Sequence, residues 1–159
     1  MSERGKQLLQ AANLQIAELL ELLSTRGQDS LGLPCAGRQK LGDGTVGATA
    51  QHATRVYHLL AQFIATYAAP RSDVAFHLPD THDHQDQYER VDVHELLQQL
   101  ASASSMLSAL AQLTDGELDT APPSGSFRFC DGHRTLEQVI ASVLNHQSHH
   151  ITAISAALE

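Results

Sequence analysis

Three histidines crowd one short segment near the end of the chain, NHQSHHI, which runs from Asn145 to Ile151. A helix turns about 100° per residue, so His146 and His150 lie on one side of it, whereas His149 points about a quarter turn away. Imidazoles one helical turn apart can direct ring nitrogens at the same divalent ion. This spacing therefore indicates metal ligation by His146 and His150, with His149 turned toward the polar side.

An earlier segment, VGATAQHATRVYHLL, carries two more histidines. On a helix, His52 falls on the apolar stripe, whereas His58 falls on a polar flank. The stripe of His52 also contains Thr49, Val56, Leu59 and Phe63, and that of His146 and His150 contains Val139, Val143, Ile154 and Ala157. Two helices are thus predicted to present histidine to the interior of the protein.

Inward histidines can also be purely structural, and for a single one a hydrogen-bonded core imidazole is the more common explanation. Three neutral imidazoles buried together would each need a partner, and no acidic residue shares either stripe. A divalent ion would satisfy three lone pairs at once, so we interpret His52, His146 and His150 as metal ligands. His82 and His84, in the polar segment DTHDHQDQ, are interpreted instead as solvated loop residues.

The elements that must position these side chains are helical wherever the periodicity is strong. Apolar residues recur every three or four positions in four segments, from about 3 to 23, 45 to 68, 92 to 113 and 135 to the end. Asp92 with Glu95, and Thr135 with Gln138, are predicted capping boxes for the last two. The pattern predicts an all-α fold, a four-helix bundle forming a single domain over residues 1–159, with long connecting loops. Loop length does not decide the topology.

Charge and composition exclude several classes of partner. The chain has 18 acidic and 10 basic residues and a formal net charge of −8, which argues against binding nucleic acid or an anionic membrane. The N-terminal segment is too polar for a signal peptide or a membrane span. Cys35 and Cys130 form no C-x-x-C pair and are interpreted as free thiols. We therefore expect a soluble cytoplasmic protein with a small-molecule partner.

In its motifs the chain resembles the DinB-like superfamily of metal-binding four-helix bundles, which includes YfiT-like proteins and mycothiol-dependent maleylpyruvate isomerase. VGATAQHATRVYHLL resembles the histidine-bearing second helix of that group, LNHQSHHITAI resembles its terminal HxxHHxxxI motif, and QYER is similar to its YexR segment. By position, the resemblance implies metal ligands at His52, His146 and His150. Thr49 stands where some members have a further histidine, and no Trp flanks the last motif.

The resemblance further implies an up-down-down-up topology, homodimerisation, a nickel, zinc or iron ion, and thiol-dependent transferase activity such as several members have. The segment SMLSALAQL, whose small residues could admit a partner helix, also favours a homodimer. Three imidazoles leave one coordination position open, which is typical of a catalytic site. A water there would become acidic enough for hydrolysis, and a low-molecular-weight thiol would be deprotonated for transfer.

We therefore expect a metal-dependent enzyme, either a thiol-dependent S-transferase or a hydrolase. The alternative is a non-catalytic metal-binding bundle whose ion is structural or sensed. A thiolate from Cys35 or Cys130 would close a tetrahedral site and favour that alternative. No convincing general base accompanies the three histidines: His149 and Thr49 are candidates by proximity only, and a structural role is the more common one for each.

Overall fold

The computed structural model describes residues 2–35, 44–68 and 91–159, and the regular secondary structure of this part is helical. Its α-helices are α1 Glu3–Arg26, α2 Val46–Ala68, α3 Val93–Met106, α4 Asp115–Leu118 and α5 Leu136–Ala157. Two 3₁₀ helices, Gln28–Gly32 and Leu107–Gln112, accompany them. The prediction of an all-α fold is confirmed. His82, His84 and the QYER segment lie outside the described residues.

The third predicted helix differs from the observed one. It was expected to continue to about Leu113, but the α-helix ends at Met106 and the chain goes on as the 3₁₀ helix Leu107–Gln112. Tightening of this kind is frequent at the C-terminal end of an α-helix. The four-residue α4, which has a capping box between Thr114 and Glu117, was not predicted either.

Capping residues begin the helices much as the sequence indicates. Asp92 accepts a hydrogen bond from the backbone N–H of Glu95 at the start of α3, but the reciprocal bond of the predicted capping box, from the Asp92 N–H to the Glu95 side chain, is not formed among the described residues. The predicted capping box of α5 is confirmed: Thr135 accepts from the Gln138 backbone, and the Gln138 side chain accepts from the Thr135 backbone. Because α5 carries the histidine segment, this box determines where that helix starts.

The four long helices pack so that α1 and α2 each contact both α3 and α5. The predicted apolar stripe of α1 faces this core, with Ala12, Ile16, Leu19 and Leu23 buried and Leu9 and Leu20 half-buried. A polar chain crosses the core: the Tyr57 hydroxyl donates to Gln15 Oε1 at 2.8 Å, and Gln15 Nε2 donates to the Leu144 carbonyl at 2.8 Å. Burial raises the pKa of Tyr57, so its hydroxyl stays a donor that links α2 to α1 and α5.

The apolar residues of SMLSALAQL pack inside the chain itself. Leu107, Leu110 and Leu113 are fully buried, and their 3₁₀ helix packs against α1 and α2. Met106 remains 39% exposed. Among the described helices, none combines the length and the apolar character that crossing a bilayer requires.

Candidate metal centre

The three predicted ligand histidines meet between α2 and α5. His52 is 5% exposed and His150 is 8% exposed, while His146 is half-buried. The Nε2 atoms of His146 and His150 are 3.2 Å apart, and the rings of His52 and His150 meet edge to face with centroids 5.2 Å apart. One ligand nitrogen from each histidine lies within 4.8 Å of the other two. The structure therefore brings together the residues that the two helical stripes selected.

These separations fit a shared ion. Two nitrogens, each about 2.0 to 2.1 Å from a tetrahedral zinc, stand about 3.3 Å apart, and the two Nε2 atoms of α5 are 3.2 Å apart. The separations to the third nitrogen, at most 4.8 Å, exceed the same spacing by no more than about 1.5 Å. Cys35 and Cys130 are both buried, and neither belongs to this cluster. Within the described part of the chain, the donors are thus three imidazoles, and metal ligation by them stays a prediction.

A buried amide beside the histidines fixes α5 against α2. Gln147 is fully buried, and its Nε2 donates to the carbonyl of Ala53, the residue next to His52, at 2.7 Å. Its Oε1 is buried and has no hydrogen-bond partner among the described residues. Gln147 was not predicted to be buried because glutamine is usually exposed, although it lies one turn from both Val143 and Ile151 on the apolar side of the helix.

The other histidines and Thr49 have different surroundings. His149 is exposed on α5, as its helical position predicts. His58 is half-buried, and its Nε2 forms a hydrogen bond of 2.8 Å with the carbonyl of Gln99 on α3. Thr49 is buried, but its hydroxyl donates to the Thr45 carbonyl of its own turn. None of these observations provides a general base for the site.

Residues of the loop before α5 also contact the site, although no sequence pattern predicted this contact. Nη2 of Arg128 lies 3.5 Å from Nε2 of His146, at the outer limit of a hydrogen bond. The Phe129 ring meets the His146 ring with centroids 6.2 Å apart. Partial burial lowers the pKa of Arg128, but a guanidinium remains charged in proteins.

The hydrogen-bond geometry assigns a role to the His146 ring. A guanidinium can only donate, so Nε2 of His146 is the acceptor of the Arg128 contact. The same nitrogen lies 3.2 Å from Nε2 of His150, and which ring donates in that contact depends on the tautomers of the two histidines. Nε2 of a neutral imidazole has one lone pair, so an ion bound there would replace these hydrogen bonds.

Comparison with known protein families, curated proteins and solved structures found no match for this chain. The function is therefore inferred from the three histidines and the residues around them. Their arrangement combines three convergent imidazoles, two of them nearly inaccessible to solvent, with one adjacent guanidinium.

Proposed function

We propose that the protein binds one divalent ion, nickel, zinc or iron, through His52, His146 and His150, and that it is a thiol-dependent S-transferase or a hydrolase. The observation that carries this proposal is the convergence of three imidazoles from two helices, with ligand nitrogens within 4.8 Å of one another. An ion held by three neutral nitrogens supplies Lewis acidity at its remaining position, where it activates a water or a thiol.

The protein's own residues orient the site and limit access to it. Gln147 positions the two ligands of α5 by its hydrogen bond to the Ala53 carbonyl. His52 and His150 are buried, so solvent and substrate approach along the half-buried His146. Phe129, whose ring contacts His146, forms an apolar wall on that approach. A largely enclosed site of this kind strengthens the electrostatic interactions within it.

A non-catalytic metal-binding bundle is the second candidate. It is favoured by the position of the ligands, because an ion held between α2 and α5 would crosslink residues far apart in sequence. The two candidates differ in coordination. An exchangeable position supports an enzyme, whereas a fourth protein ligand supports a structural or sensing role.

The experiment that separates them begins with protein purified without an affinity column and analysed for its native metal. X-ray absorption should then show three nitrogens plus exchangeable light atoms. A sulfur at about 2.3 Å would contradict the enzyme proposal and indicate ligation by Cys35 or Cys130. Assays with panels of thiols and electrophiles, and with hydrolysable esters and amides, would then distinguish transferase from hydrolase activity.

We further propose that the chain is a DinB-like bundle with an up-down-down-up arrangement of its long helices. Side-chain contacts support antiparallel α1 and α3, parallel α1 and α5, and antiparallel α2 and α5. The respective pairs are Ser2–Leu113 with Asn13–Ser104, Arg4–Glu137 with Gln15–Leu144, and His52–His150 with Phe63–Phe127. Leu113 lies in the segment after α3, and Phe127 lies in the segment before α5. A crystal structure with a different helix order would refute this arrangement.

We also propose that the protein is a homodimer, on the basis of the family resemblance. The leucines of SMLSALAQL are buried within the chain, so the part of this segment available to a partner centres on the exposed Met106. Light scattering at micromolar concentration should give twice the chain mass of 17.2 kDa. A monomer mass would exclude the dimer.

A further inference from the structure

Arg128 has an unusual position for a charged side chain. It is half-buried, and its Nη2 atom lies 3.5 Å from Nε2 of His146, one of the proposed metal ligands. Within the described part of the chain, Arg128 forms no ion pair, as is also true of Arg26 and Arg55, and it differs from them in its contact with His146. A partly desolvated cation without an anion is costly and usually acquires a counter-charge.

The backbone is constrained where it places Arg128 beside the site. Phe129 has φ +66°, the one positive value among the described non-glycine residues. Phe127 stacks on Phe63 of α2 with ring centroids 4.6 Å apart, and the backbone N–H of Cys130 donates to the Phe127 carbonyl at 3.2 Å. Such strain persists only where the surrounding structure holds it, and it concentrates at functional sites.

The charges of the site then favour an anion. An ion bound through His146 would lie close to the guanidinium, because Nη2 of Arg128 is 3.5 Å from Nε2 of this ring. The three imidazole ligands are neutral, so nothing in this ligand set offsets the repulsion between the two positive charges. A negatively charged group placed between them would be attracted by both.

We propose that Arg128 is a substrate-binding residue and that the site accepts small molecules through a carboxylate, held between the Arg128 guanidinium and the metal ion. This inference rests on the proposed metal-binding function. The planar guanidinium fork binds the two oxygens of a carboxylate, and the single negative charge of that group matches the single charge of Arg128. Binding of metal and carboxylate is therefore cooperative, and Arg128 is the residue that couples them.

The test measures zinc affinity by competition with a chromophoric chelator, in acetate and in neutral acetamide at equal ionic strength. In the unaltered protein, acetate should tighten zinc binding at least about fivefold relative to acetamide. Arg128→Gln should bind zinc more tightly than the unaltered protein in acetamide and should lose the acetate effect. Arg134→Gln is the matched control, since Arg134 lies equally close to the Phe129 ring, at 5.8 Å, but is exposed and paired with Asp131. It should retain the acetate effect.

An equal acetate effect in both glutamine variants would overturn the inference and leave metal binding intact. A stronger effect of methyl phosphate than of acetate would overturn the choice of carboxylate. Absence of zinc binding in the unaltered protein would remove the proposed function and this inference together, so the two failures are distinguishable. If Arg128→Gln does not fold, Arg128→Lys replaces it; this variant keeps the charge, loses the planar fork and should show a reduced acetate effect.

Discussion

At the residue scale, two adjacent histidines of α5 have opposite surroundings. His150 is 8% exposed, and its Nε2 lies 3.2 Å from that of His146, whereas His149 is exposed to solvent. A variant at His150 therefore tests metal ligation, and the same variant at His149 is its matched control. The difference comes from helical geometry, since one residue corresponds to about 100° of rotation.

We expect His150→Ala to abolish stoichiometric metal binding, because it removes one of three nitrogens at the centre of the cluster. His149→Ala should leave the stoichiometry nearly unchanged, since its ring lies outside the cluster. Metal content after dialysis, measured by elemental analysis, checks both variants. Equal loss of metal in the two would contradict the assignment of ligands.

Periodicity predicted the three histidines of the cluster because burial on a helix follows the angular position of a residue. It could not predict Arg128, since a connector has no repeating geometry that relates its side chains to a helix face. Gln147 was missed for another reason. Its position on the helix predicts burial, but glutamine is usually exposed to solvent. Only the packed structure shows the Ala53 carbonyl that it binds.

At the element scale, the junction between α1 and the 3₁₀ helix Leu107–Gln112 depends on a glycine. A Cβ atom added to Gly5 would stand 2.5 Å from the carbonyl oxygen of Leu110, too close without movement of backbone. Such close packing depends on how α1 and the 3₁₀ helix, which are far apart in sequence, contact each other. The sequence therefore predicted helices in these regions but not the change from α to 3₁₀ geometry after Met106.

Gly5→Ala should destabilise the protein by about 1 to 3 kcal/mol, even though alanine favours a helix by up to about 1 kcal/mol. Gly116→Ala in α4 is the control, because its added Cβ would meet nothing closer than Thr114 Oγ1 at 3.9 Å. That variant should be as stable as the unaltered protein or slightly more so. Urea unfolding followed by circular dichroism gives both free energies. A Gly5 variant without loss of stability would show that α1 can shift away at little cost.

At the scale of the whole molecule, Arg4 connects three helices. Its guanidinium donates to Glu137 at the start of α5, with distances of 2.9 and 3.1 Å, and to Asp119 just after α4 at 2.6 Å. These hydrogen bonds hold the pKa values of Asp119 and Glu137 below their usual range. A lowered folded-state pKa contributes stability that is present above the unfolded value and is lost as pH falls through the folded one.

Arg4→Gln should therefore lower the melting temperature at neutral pH, and the deficit should shrink as the pH falls below about 4, where free carboxylates take up protons. Added salt should also reduce the deficit, because the groups are largely exposed. Lys6→Gln, at an exposed position two residues after Arg4 on α1, serves as the control for loss of a positive charge. A deficit independent of pH would mean that Arg4 acts through packing alone.

Metal should stabilise the whole fold, because its proposed ligands come from α2 and α5. Zinc at about 100 times its dissociation constant adds about 2.7 kcal/mol, which raises the melting temperature of a protein of this size by about 5 to 10 °C. His52→Ala should lose this increase although both histidines of α5 remain, and His149→Ala should keep it. Retention of the full increase by His52→Ala would show that α5 binds the ion without α2.

The hydrogen bond from Gln147 to the Ala53 carbonyl has a consequence for how the histidine segment is interpreted. Positions 146, 149 and 150 offer two rival pairs of imidazoles, spaced by three and by four residues, and either pair can chelate an ion from one side of a helix. The histidines alone do not choose between them. The choice depends on the rotational phase of α5, which this amide and the buried apolar residues of the helix set together, so the second proposed ligand depends in part on a side chain that is not itself a proposed ligand.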